Sequence, residues 1–113
     1  MEEGIPRKPV EVSEEYKASR KHIYDYTVGT FGEVQAMRYW QRIDYAIDTL
    51  PDRYTYYTPC RHIPTKSLKY RNIILEAHLI IYRITAARIE VLDIVHGAMS
   101  VSRIRSVRGI RLD

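Results

Sequence analysis

A chain of 113 residues with 45% hydrophobic content is long enough to bury one core and too short for two, and this composition excludes a disordered or fibrous chain. Its single cysteine excludes an internal disulfide framework and fits a reducing, cytoplasmic setting, with no secretory signal expected after the acidic start Met1-Glu2-Glu3. The net charge of +4 is divided unevenly: residues 1–50 carry nine acidic and seven basic residues, whereas residues 51–113 carry five and eleven, so the C-terminal half is expected either to meet something anionic or to form a solvated basic face.

The first predicted element is a short strand over Lys8–Val12, where Pro9 suits a strand start or edge. Ser13 then caps a first helix, with Glu14 and Glu15 favourably placed at its N-terminal dipole. Tyr16, Ile23 and Thr27 supply the apolar stripe of this helix, with Tyr24 alongside, and Gly29 is its expected stop. Thr30 and Glu33 have the spacing of a capping box for a second helix. In that helix Ala36, Trp40, Ile43, Ile47 and Leu50 recur at helical spacing on one face, so Trp40 is expected in the core, and Pro51 ends the element. So short a connection predicts an antiparallel helical hairpin.

Residues 51–67 read as an irregular connection, with three prolines and the run Tyr54-Thr55-Tyr56-Tyr57-Thr58. Tyr54, Tyr56, Tyr57 and Tyr70 lie close in sequence to Arg53, Arg61 and Lys66. Such a cluster could stack on single-stranded RNA, receive a partner protein's segment, or pack onto a sheet. From Leu68 onward β-branched residues predict three strands, over residues 68–76, 78–85 and 88–96. Helices grouped before strands give an α+β domain, with an N-terminal strand and a helical hairpin packed on one face of a mainly antiparallel sheet. The other face is expected to be free for a ligand or partner. The whole chain, 1–113, reads as a single domain with its core over about 8–100 and a basic extension over 101–113 carrying Arg103, Arg105, Arg108 and Arg111.

No glycine-rich phosphate loop, zinc-ligand spacing or Ser-His-Asp set is present, so neither a cofactor nor a metal is expected. The densest apolar stretch, 73–84, is interrupted by Glu76, His78 and Arg83, so no membrane span is expected.

Three segments resemble the RelE/ParE superfamily of small bacterial toxins from type II toxin–antitoxin modules. They are His22-Ile23-Tyr24-Asp25-Tyr26, the run Ala77-His78-Leu79-Ile80-Ile81-Tyr82-Arg83-Ile84, and the strand Ile89–Val95 with its ending His96-Gly97-Ala98. The resemblance covers about residues 8–100 and implies a RelE/ParE-like fold and a toxin neutralised by a cognate antitoxin. One branch of the superfamily cleaves mRNA in the ribosomal A site, and another poisons DNA gyrase. The strand arginine and the later arginine of the ribonuclease pattern align with Leu79 and Met99, and the following aspartate aligns with Ser100. The gyrase branch is the expected side, because its His-Gly-Ala turn is the closer match and it needs surface contacts in place of an acid–base set, although its usual arginine at Met99 is absent too.

The alternative is a metal-independent, ribosome-dependent endoribonuclease using His96 as acid or base with Lys69 or Arg71. A further alternative is a non-catalytic module of the same fold. Arg61, His62, Lys66, Lys69, Arg71, Arg83 and Arg103 are the candidate contacts to an anionic ligand or partner. Tyr82, on a central strand, is expected in the core with only its hydroxyl available.

Overall fold

The computed structural model describes residues 4–112. Its elements are β1 (Val10–Val12), α1 (Glu14–Phe31), α2 (Glu33–Arg53), β2 (Tyr70–Ile74), β3 (His78–Ile84), β4 (Ile89–His96) and α3 (Val101–Ser106), followed by a single 3-10 turn over Val107–Gly109. The four strands form one sheet in the order β1-β4-β3-β2. β1 runs parallel to β4, while β2–β3 and β3–β4 are antiparallel hairpins. This is the expected α+β arrangement.

Ser13 ties the first strand to the first helix. Its Oγ accepts the Tyr16 amide at 2.8 Å as a helix cap and donates to the Leu92 carbonyl, and its own amide donates to the Val91 carbonyl. Those carbonyls lie at a bulge in β4: Tyr82 pairs with Val91 and Ile81 with Asp93, leaving Leu92 as the extra residue. The extra residue shifts the alternation, so that Val91 and Ile94 face the helices while Leu92 and Val95 face away.

The joint between the helices differs from the capping-box expectation. Thr30 belongs to the last turn of α1, and Gly29 does not stop it. The break falls at Gly32, whose φ of 90° and ψ of 170° place it in a region open essentially to glycine alone. Its amide still donates to the Val28 carbonyl and its carbonyl accepts from Ala36, so one residue closes one helix and opens the next. Pro51 does not end α2 either, because its fixed φ is helical and only one hydrogen bond is lost; the helix runs on to Arg53.

Both faces of the sheet are covered. On the first, Tyr16 and Ile23 of α1 and Ile43, Ala46 and Leu50 of α2 pack on Ile73, Ile80, Tyr82, Ile89, Val91 and Ile94. Tyr82 is fully buried, as expected, and its hydroxyl donates to the Tyr54 carbonyl at 2.6 Å. Trp40 is only half-buried, a correction to its core placement. It fills the seam between the helices, edge-on to Tyr24 with ring centroids 5.0 Å apart and with the Arg20 guanidinium 4.2 Å from its own centroid.

The second face is not free, which corrects the sequence expectation. Cys60 and Ile63 from the connection and Ile104 and Val107 from the C-terminal segment close over Tyr70, Ile81, Leu92 and Val95. Ile104 and Val107, three residues apart, bury the tail's apolar side against the sheet.

Candidate functional surface

The tail is held by a buried ion triad. Arg83 and Glu90 oppose each other on β3 and β4, and Arg88 flanks them. The Glu90 carboxylate accepts Arg83 at 2.6 and 2.9 Å and Arg88 at 2.9 Å. Burial alone would raise the Glu90 carboxyl, but hydrogen bonds and charge from both arginines hold it below the ordinary glutamate value. Burial likewise works against the Arg83 charge, and the Tyr70 hydroxyl and Glu90 outweigh it. The two guanidiniums then reach the tail: Arg83 donates to the carbonyls of Arg108 and Ile110, and Arg88 to that of Leu112.

Arg83 was expected to contact an anionic ligand. The structure corrects this, because its charge is already neutralised by Glu90 and its remaining donors are spent on the tail. Arg71 is similarly engaged: its guanidinium donates to the Tyr57 carbonyl at 2.7 Å and to the Thr55 carbonyl at 3.4 Å, stitching the connection to β2.

Arg61, Lys66, Lys69 and Arg103 are exposed. Arg61 and Lys66 lie on the connection that covers the second sheet face. Lys66 sits in a tight turn whose residue Leu68 adopts a φ of 56°, held by the Thr65 carbonyl and hydroxyl; that conformation costs a residue with a β-carbon about 1–2 kcal/mol. The Lys69 ammonium lies 5.6 Å from the Tyr70 ring centroid. Arg103 lies on α3, where its amide is capped by Ser100. His62 is half-buried, and its carbonyl accepts Arg105 Nε at 3.1 Å, which joins the connection to the tail. Arg105 and Arg108, not singled out for this role from the sequence, belong to the same exposed surface. Their signal was present, since residues 53–75 and 94–112 together hold nine Lys and Arg and no Asp or Glu.

His96 ends β4 with an exposed side chain, and its Nδ1 accepts the Ala98 amide at 3.0 Å, leaving Nε2 as the outer nitrogen. Opposite it in the register is His78, with ring centroids 5.4 Å apart. Tyr39 of α2 bonds His78 Nδ1 at 2.7 Å. Burial, then the neighbouring His96, push the His78 pKa down. The sheet does not bring Lys69 to this corner. The Lys69 carbonyl accepts the amide of Ile84, at the other end of β3 from His78, and six strand steps separate the two ends by about 20 Å.

Leu79 and Met99 pack against the second apolar cluster, beneath the tail. The apolar side chains at these positions therefore serve to seat the C-terminal segment. The tyrosines do not form an open stacking platform: Tyr54 and Tyr70 are buried, Tyr57 is half-buried, and of the four only Tyr56 is exposed, at 75%.

On the opposite layer, α2 and the outer strand β2 border an open groove of about 900 Å³. Tyr45 and Ile74 stand exposed at its sides, with Arg38 and Arg42 along the helix. Thr58 and Cys60 pair with the outer edge of β2 at Asn72 and Tyr70, respectively. Ile74 lies beyond that pairing and is 69% exposed. Among the described residues no group of three or more His, Cys, Asp or Glu could hold a metal ion, and no helix is long and apolar enough to cross a membrane.

An open groove and a set of exposed cations are the features this small α+β domain presents to solvent. The profile of the family described as "ParE toxin of type II toxin-antitoxin system, parDE" matches residues 10–101, and the chain belongs to that family. Among solved structures it is similar to a chain from "Chromosomal ParDE TA system from P. aeruginosa", with 20% identity and a TM-score of 0.65. That alignment covers 80% of this chain and 96% of the other, and it supports the fold. No curated protein matches the sequence.

Proposed function

We propose that this ParE-family chain is the toxin of a two-protein module, held inactive by a cognate antitoxin, and that it acts by surface contacts on DNA gyrase. The observation that carries the mechanism is the packing of Leu79 and Met99 under the tail. In-line cleavage of RNA needs cations aimed at the phosphorane, and losing one such group costs on the order of a hundredfold in rate. Here those positions carry half-buried apolar side chains packed against the second cluster, and the unpaired cations stand on the exposed connection and tail.

The groove between α2 and β2 is the proposed antitoxin seat. Its exposed Tyr45 and Ile74 offer apolar anchor points, Arg38 favours an acidic residue, and the end of β2 at Ile74, beyond the Thr58–Cys60 pairing, offers backbone groups. The ribonuclease alternative keeps one observation in its favour, the exposed His96 with its outer nitrogen beside His78.

Inducible expression tests the proposal. Growth arrest relieved by co-expressing the neighbouring small gene's product is the expected outcome, and normal growth with folded protein would point to a non-toxic module. Purified chain should then inhibit gyrase supercoiling and leave mRNA intact in a translation extract. Cleavage in the extract that His96→Ala abolishes would establish the ribonuclease reading instead.

A further inference from the structure

The connection and the tail form one cationic surface whose charges, among the described residues, make no ion pair within the fold. Cys60 and Ile63 anchor one segment and Ile104 and Val107 the other, on the same face of the sheet, and Arg105 bonds across to His62. Arg61, Lys66, Arg103, Arg105 and Arg108 are all exposed there, and among the described residues none of the five makes an ion pair. The chain's average acid content would place about five carboxylates in residues 53–75 and 94–112, and there are none. The carboxylates that β4 contributes compensate only in part, through the charge of Asp93 acting on Arg103 without forming an ion pair. Glu90 is buried between Arg83 and Arg88, and Asp93 is half-buried with the Ile94 amide on its carboxylate.

We infer that this surface binds duplex DNA along its phosphate backbone, without sequence preference. The molecule measures 42 × 35 × 25 Å, so a surface along it spans no more than about one turn of duplex, roughly 34 Å. Reading of single strands requires several exposed aromatic rings among the cations; Tyr54 and Tyr70 are buried, and Tyr56 is a single exposed ring at the start of the connection. Base readout in the major groove requires a helix or ribbon long enough to enter it, and α3 has six residues. What remains is a set of flexible cations facing outward, which is the chemistry of backbone contact. This adds a nucleic-acid partner to the proteins of the preceding section and holds whichever target the toxin has.

The test is fluorescence anisotropy of the full chain with a labelled 20-base-pair duplex of mixed sequence. With about five phosphates neutralised, the logarithm of affinity should fall against the logarithm of salt with a slope of about −4.5. Between 50 and 200 mM salt that is a loss of several hundredfold, about 500. The triple variant Arg61→Gln/Lys66→Gln/Arg105→Gln should flatten the slope by about 3 and bind at least tenfold more weakly at 50 mM. The triple variant Arg7→Gln/Lys17→Gln/Lys21→Gln removes the same charge elsewhere and should bind like the parent, with thermal melting confirming that both variants are folded. No binding at 50 mM salt, parental binding by the first variant, or tighter binding to single-stranded RNA or polyglutamate of equal charge would each overturn the inference.

Discussion

The two layers that sandwich the sheet are built from opposite uses of charge. In the helical layer the cations meet acids: Lys17 pairs with Glu14, Lys21 with Asp25, Arg20 with Asp44 and Arg42 with Glu76. Among the described residues no cation of the connection or tail is ion-paired, and the sheet arginines that seat the tail, Arg83 and Arg88, are both drawn to Glu90. The first layer spends its charge on itself, as a scaffold does. The second uses one buried carboxylate to position a segment whose outer cations stay available.

Breaking the triad should therefore unseat one layer and spare the other. Glu90→Gln leaves two half-buried arginines facing each other over a neutral amide, and should cost about 2–3 kcal/mol. Thermal melting should register that loss, and limited proteolysis should cut within residues 98–112 before it cuts the hairpin.

Gly32→Ala strikes the helical layer, at a backbone conformation that a β-carbon strains. A cost of about 1–3 kcal/mol is expected in denaturant unfolding, with the tail as protease-resistant as in the parent. Ser13→Ala removes a helix cap and leaves the buried Leu92 carbonyl without the hydroxyl. It should cost about 1–2 kcal/mol by the same measurement.

The histidine corner should make stability depend on pH. The His78 pKa is lowered in the folded chain, so the unfolded chain takes up the proton first as pH falls. Stability should thus decline as pH drops below about 6.5, the unperturbed histidine value. A melting series from pH 7.5 to 5.5 should show a shallower decline for His78→Gln. At the small end, Lys21→Ala removes an exposed pair and should move stability by no more than about 0.5 kcal/mol.

The layers also differed in how far the sequence disclosed them. Ala36, Ile43 and Leu50 recur at helical spacing over four turns, and all three are buried; the three later strands, rich in β-branched residues, were placed within one or two residues of their observed ends. The hinge was misread because Thr30 and Glu33 carry a capping pattern, while the actual break needs a conformation that Gly32 alone supplies. The tail was misread for a different reason. One short helix and one 3-10 turn bury only Ile104 and Val107, too few positions to establish a period, and the bonds that seat them run from Arg83 and Arg88, more than twenty residues away in sequence.

The same distance effect governs the candidate site. Arg83 and Arg71 were legible as cations, but only the fold reveals that Arg83 is neutralised by Glu90 and that the Arg71 guanidinium donates to the carbonyls of Thr55 and Tyr57. Lys69 and His96 looked like possible partners in sequence, and the β3 register separates them by the length of the sheet. Arg105 and Arg108 gain their place from a bond to the His62 carbonyl and from the clamp beneath the tail, neither of which has a local signature.

The most direct test of the division between scaffold and working surface is growth after induction of two charge-matched variants in cells lacking the antitoxin. Arg61→Gln/Lys66→Gln/Arg105→Gln should abolish growth arrest while melting at the parental temperature, and Arg7→Gln/Lys17→Gln/Lys21→Gln should arrest growth as the parent does. Full arrest by the first variant, or its loss in the second with the fold intact, would contradict the account.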